Sequence, residues 1–103
     1  MPARLIEFHP EASQELLEAQ QWYQSQSDGL GGDFANEIER AVQMVQESPQ
    51  TWPIHLKKEL RRFLVHRFPF AIVYQYDDQK IRVIAVMHLK RKPGYWKSRY
   101  QGS

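Results

Sequence analysis

The chain has 103 residues, 42% of them hydrophobic and 25% charged, the balance of a folded globular protein and far from that of disordered or collagen-like chains. That length supports one core but not two, so a single domain over residues 1–103 is expected. With no cysteine, a disulfide framework and any cysteine-ligated zinc or iron–sulfur centre are excluded. Glu7 interrupts the early apolar run, no segment approaches the ~20 apolar residues of a membrane span, and a cytoplasmic protein that does not enter membranes is expected. The net charge of +2 conceals a strong polarity: residues 1–54 hold two bases and nine acids, net −7, and residues 55–103 hold twelve bases and three acids, net +9. Such a basic half favours a polyanion or an acidic protein segment as partner.

In chain order, residues 4–8 (Arg-Leu-Ile-Glu-Phe) read as a short strand, and Pro10 suits the first turn of a following helix. From Glu11 to about Ser27 the residues Ala12, Leu16, Ala19 and Tyr23 recur at helical spacing, with Leu17 beside the stripe and Glu15 and Glu18 assigned to the other side. Residues 28–32 form a turn in which Gly29 takes the left-handed conformation that ends a helix, and Asp33 is the expected N-cap of the next helix. That helix presents Phe34, Ile38, Ala41, Val42 and Val45 on one face and stops near Ser48, before Pro49.

A loop over residues 49–53 leads into three strand signals. The first covers 60–66, the second 70–76, and the third 80–88, joined to the second by a hairpin turn at Asp77-Asp78-Gln79. Their short connections require an antiparallel meander. The expected architecture is α+β: an N-terminal strand, then a two-helix antiparallel hairpin packed on a C-terminal three-stranded antiparallel meander, a two-layer sandwich. A basic, aromatic tail with a Pro93-Gly94 turn closes the chain.

His9, His55, His66 and His88 share no helical spacing and no carboxylate cluster, so no metal is expected; the glycines at 29, 31 and 32 follow a helix, not a strand, which argues against a phosphate loop, and no cofactor is expected. On the first strand of the meander Arg62, Leu64 and His66 point to one side and Arg61, Phe63 and Val65 to the other. Arg82 and His88 share a parity on the last strand. With one face packed on helices, cationic groups collect on the opposite face or at strand ends. Such groups bind phosphate or carboxylate, and a base beside an arginine can cleave RNA without metal. Trp96 is assigned to the core in preference to a surface role.

The run 61–74 (Arg-Arg-Phe-Leu-Val-His-Arg-Phe-Pro-Phe-Ala-Ile-Val-Tyr), Ala85-Val86-Met87-His88 and Arg91-Lys92-Pro93-Gly94-Tyr95-Trp96 resemble the RelE/ParE toxin superfamily of bacterial type II toxin–antitoxin systems. So do Phe8-His9-Pro10-Glu11-Ala12, Trp22-Tyr23 and Gly29-Leu30-Gly31 ahead of Asp33-Phe34. The resemblance covers nearly the whole chain in order and implies a growth-inhibiting toxin, neutralised by a cognate antitoxin whose acidic C-terminal segment folds around it in a hetero-oligomer.

Within the superfamily, Arg67-Phe68-Pro69-Phe70 and Pro93-Gly94-Tyr95-Trp96 look more like the ParE-like branch, which implies a non-enzymatic inhibitor of DNA gyrase. The target- and antitoxin-binding residues are then Arg61, Arg62, Arg82, Lys90, Arg91, Tyr95 and Trp96. The alternative is a RelE-like, metal-independent endoribonuclease acting on mRNA at the ribosome, with Arg62, Arg67, His88, Arg91 and Tyr95 as catalytic candidates. Lys57 and Lys58 fall in the same basic region, and either His66 or Arg67 stands where the nuclease strand carries an arginine. A further alternative is a degenerate member that binds antitoxin or nucleic acid only.

Overall fold

A computed structural model describes residues 4–55 and 57–101, with the side chains at 57, 58, 100 and 101 left aside. The elements are β1 (Leu5–Phe8), α1 (Pro10–Gln26), α2 (Leu30–Glu47), β2 (Ile54–His55), β3 (Lys57–Leu64), β4 (Phe70–Tyr76), β5 (Lys80–His88) and α3 (Lys97–Gln101). The α+β architecture and the antiparallel β3-β4-β5 meander are as expected. The sheet is larger than the meander: it has five strands in the order β1-β5-β4-β3-β2. β1 joins β5 in parallel, Leu5 opposite Lys80 and Phe8 opposite Val83.

His9 caps α1, its Nδ1 accepting the Glu11 N–H at 3.1 Å, and Pro10 occupies the first turn, where no N–H is needed. α2 begins earlier than its sequence suggests. Gly29, at φ 87°, is its N-cap, and Asp33 lies in the first turn, not at the cap. Capping is taken over by the Gln24 side chain, whose Oε1 accepts the N–H groups of Gly29 and Gly31 at 3.2 and 3.1 Å. The helices approach closely here: a Cβ on Gly31 would stand 2.7 Å from the Gln20 carbonyl oxygen.

Both faces of the sheet are buried, which corrects the expectation of one core and one cationic face. On the helix side, Ala12, Phe34, Ile38, Ala41 and Val45 pack on Phe70, Ile72, Tyr74, Ile81, Val83 and Val86. On the opposite side, Leu60, Ala71, Val73, Ile84, Ala85 and Met87 are covered by Trp96, which is fully buried. An irregularity makes this possible. Val73 pairs with Ala85 but Tyr74 pairs with Val83, so β5 carries an extra residue, Ile84. A bulge reverses the parity beyond it. Arg82, opposite Gln75, therefore lies on the Trp96 side, whereas His88 packs on Phe70 on the helix side, 5.0 Å between ring centroids. The expected shared face for Arg82 and His88 is not formed.

No helix among the described residues is long and apolar enough to cross a membrane.

Candidate interaction surface

β1 leaves β5 at Phe8, with the His9 N–H still bonded to the Val83 carbonyl at 2.9 Å, so the edge of β5 beyond that point must be satisfied by something other than a strand. Glu15 does this. Its Oε1 accepts the Val86 N–H at 3.0 Å, and the Arg99 guanidinium donates to the Ile84 carbonyl at 3.1 Å. Arg99 and Glu15 also meet fork to fork, at 2.9 Å on both carboxylate oxygens, with side-chain exposures of only 8% and 12%. The Tyr95 hydroxyl donates to Glu15 Oε2 at 2.6 Å, and Arg91 lies 3.6 Å from the same oxygen with its guanidinium 3.8 Å from the Tyr95 ring centre. Charge-assisted, bidentate bonds of this kind are the strongest in proteins. One carboxylate on α1 thus holds the C-terminal segment against the β5 edge.

The sequence reading assigns Glu15 to the side of α1 away from the apolar stripe, and the structure corrects this by placing it, 12% exposed, against the β5 edge, yet a signal was there. It follows Ala12 by three residues and precedes Ala19 by four, the spacing of the buried stripe itself. An acid within an apolar stripe requires a buried cation, and Arg99 supplies it.

This environment perturbs its members. Burial first, then the hydrogen bond to Glu15 and its charge, push the Tyr95 phenol well above its ordinary value. Burial alone would lower Arg99, but the Glu15 contact reverses that and leaves the guanidinium above its ordinary value. Tyr74, fully buried and donating to the Pro49 carbonyl at 2.6 Å, is likewise raised, chiefly by desolvation. An unfolded chain ionises both phenols near pH 10 while the folded chain keeps them neutral, so stability is intact below pH 10 and falls as pH rises towards the folded values. The loss should reach at most about 1.4 kcal/mol per pH unit for each phenol. Urea titrations between pH 9 and about 11 should show it, and Y74F/Y95F should be flatter over the same range, keeping the contribution of Tyr23, whose phenol burial also raises.

Acids of the helical half neutralise much of the basic half. Glu7 faces Lys80 and Arg82 at 3.6 and 3.9 Å, Asp33 faces Arg67 at 3.2 Å, and Glu11 faces Arg99 at 3.8 Å. Among the described residues, no carboxylate lies within ion-pair distance of Arg61, Arg62, Lys90, Lys92 or Lys97. Arg61 donates to the Trp52 carbonyl at 2.7 Å, and Arg62 lies near His55, whose pKa is lowered by burial and then by that charge. Lys57 and Lys58 lie outside the described side chains.

The five nuclease candidates have different surroundings. Arg91 and Tyr95 share the Glu15 latch. Arg67, at φ 76°, sits in the β3–β4 loop and reaches to α2 through Asp33. His88 accepts the Lys90 N–H on Nδ1, and Arg62 stands opposite Val73. Of the binding candidates, Lys90 is exposed, Arg61, Arg62 and Arg82 are half-buried, and Trp96 is wholly interior. Among the described residues, no group of three or more His, Asp or Glu stands close enough to hold a metal ion.

An α+β sandwich with a charge-latched tail and unpaired cations along its sheet edge and tail is the class the geometry defines. The sequence matches the family model described as ParE toxin of type II toxin-antitoxin system, parDE, over residues 6–93, and the chain belongs to that family. Among solved structures it is similar to a chain of the chromosomal ParDE toxin–antitoxin system from P. aeruginosa, with 14% identity and a TM-score of 0.72, covering 85% of this chain and 98% of the other. No curated protein matches it in sequence.

Proposed function

We propose that this toxin inhibits DNA gyrase by protein contact, without chemistry of its own, in the cytoplasm, and that a cognate antitoxin with an acidic C-terminal segment neutralises it. The observation that carries this reading is the latch. Arg91 and Tyr95, the tail residues best suited to RNA cleavage, are both engaged by Glu15, and Tyr95 holds its proton too tightly to act as a base near neutral pH. What the protein offers instead is a rigid sheet with free cations at Arg61, Arg62, Lys90, Lys92 and Lys97, suited to a macromolecular contact. Membership of the ParE family supports the same reading.

The direct test is DNA supercoiling by purified gyrase. Added in molar excess, the toxin should abolish supercoiling and trap a cleavage complex, and pre-mixing with antitoxin should restore activity. Unchanged supercoiling with no trapped complex would overturn the proposal.

A further inference from the structure

The segment that follows β5 mixes bases with aromatic rings. Residues 90–99 hold Lys90, Arg91, Lys92, Lys97 and Arg99, no acid, and the rings of Tyr95 and Trp96. An open segment of that composition would track a single strand of nucleic acid, with cations on the phosphates and rings stacked on the bases. The structure takes the rings away. Trp96 is fully buried against Leu60, Ala71 and Met87. Tyr95 is half-buried, its hydroxyl bonded to Glu15 and its ring covered by the Arg91 guanidinium at 3.8 Å.

What remains outside is charge. Lys90, Lys92 and Lys97 are exposed, and among the described residues no carboxylate stands within ion-pair distance of any of them. The acids that do reach this segment, Glu15 and Glu11, are engaged by Arg91 and Arg99. Nor do the lysines hang on a loose tail. The N–H groups of Arg91, Tyr95 and Lys97 donate to the carbonyls of His88, Lys92 and Gly94 at 3.0, 3.4 and 3.0 Å, folding the segment into successive tight turns. At Gly94, φ 89°, a Cβ would stand 3.7 Å from Lys97 Nζ, so that ammonium lies back over the Pro93-Gly94 turn, beside which Lys92 sits in the chain. Like charges gathered on an anchored turn repel one another, and a surface that serves solubility alone mixes its signs.

We infer that Lys90, Lys92 and Lys97 seat the toxin on the phosphate backbone of duplex DNA, without reading its sequence. The inward rings argue against a single strand, which needs aromatic faces to stack on. The residue type argues against a protein partner: lysine is depleted in protein interfaces, whereas it serves phosphate well as a point charge. Phosphate contacts fix position and carry no sequence information. The choice of DNA over RNA rests on the gyrase reading, since supercoiling is carried out on a DNA duplex.

Fluorescence anisotropy of the antitoxin-free toxin with a labelled DNA duplex, repeated as salt is raised, tests it. Three phosphate contacts should weaken binding about 40-fold between about 50 and 200 mM salt. K90Q/K92Q/K97Q, its fold checked by far-UV circular dichroism, should lose nearly all of that dependence, and each single change about a third of the slope. No binding to the duplex, or an affinity indifferent to salt, would overturn the inference, as would a folded triple variant that binds like the wild type. Tighter binding to a single strand or to duplex RNA would overturn the choice of occupant. Gyrase is absent from this titration, so the two readings separate. Supercoiling inhibited by a toxin that does not bind duplex removes this inference alone, and duplex binding by a toxin that leaves supercoiling unchanged removes the gyrase reading alone.

Discussion

Replacing Glu15 with alanine is expected to destabilise the protein by about 3–5 kcal/mol, the cost of leaving a buried charge without its partner. The group left behind is Arg99, 8% exposed, which keeps only the more distant and exposed Glu11 at 3.8 Å and the Ile84 carbonyl, and the same change unbinds Tyr95 and Arg91 and leaves the Val86 N–H without an acceptor. Urea unfolding at pH 7, followed by far-UV circular dichroism, measures it. The companion experiment separates charge from packing. E15L combined with R99M removes both charges, and should recover most of the loss, because buried ion pairs exchanged whole for apolar side chains are often neutral in stability. A single E15A cost below about 1 kcal/mol would mean that the latch behaves as a surface ion pair and does not hold the tail.

Trp96 is the second decisive position. It is the largest fully buried side chain and covers Leu60, Ala71, Val73, Ala85 and Met87, on the sheet face the helices do not reach. W96A should cost about 3–5 kcal/mol, as large aromatic truncations in cores do, and W96F distinctly less. It should also expose an apolar sheet face, so the variant should bind a hydrophobic dye and aggregate on heating while helix-side truncations of similar cost do not. Trp96 and Arg99 lie past residue 93, where the family match ends. The residues that close the second face and fasten the tail are therefore outside the matched region, and their replacement tests this chain's own architecture.

Much of the fold was legible because it rests on local signals. The α1 stripe, the β-branched run of β4 and the turn before β5 each follow from short-range chemistry, and β4 and β5 fall where the sequence places them. What was not legible depends on partners distant in sequence. Nothing local in Leu5–Phe8 says that it pairs with Lys80–Val83. β2 has only two residues and carries no period at all. The bulge at Ile84 is hidden because Val83, Ile84, Ala85 and Val86 are all apolar, so no alternation exists to reveal a change of face. Without the bulge, the cationic groups of β5 sort to the wrong sides.

The candidate site was legible as a charge imbalance but not as a geometry. The excess of bases in the second half was plain. That Glu7, Glu11, Glu15 and Asp33 would reach over to neutralise Lys80, Arg82, Arg91, Arg99 and Arg67 depended on how the halves dock. After that pairing, the free cations are concentrated on β3 and in the tail, a narrower surface than the sequence total suggests.

The parallel pairing of β1 with β5 also sets when the molecule can exist. A strand made first in synthesis finds its neighbour only after nearly the whole chain has followed, and contacts of that span close slowly. The helical hairpin emerges early with its apolar face uncovered, since the sheet it packs on is not yet made. The sheet therefore cannot close across β1 until β5 has been made, and the apolar face of the hairpin waits for it.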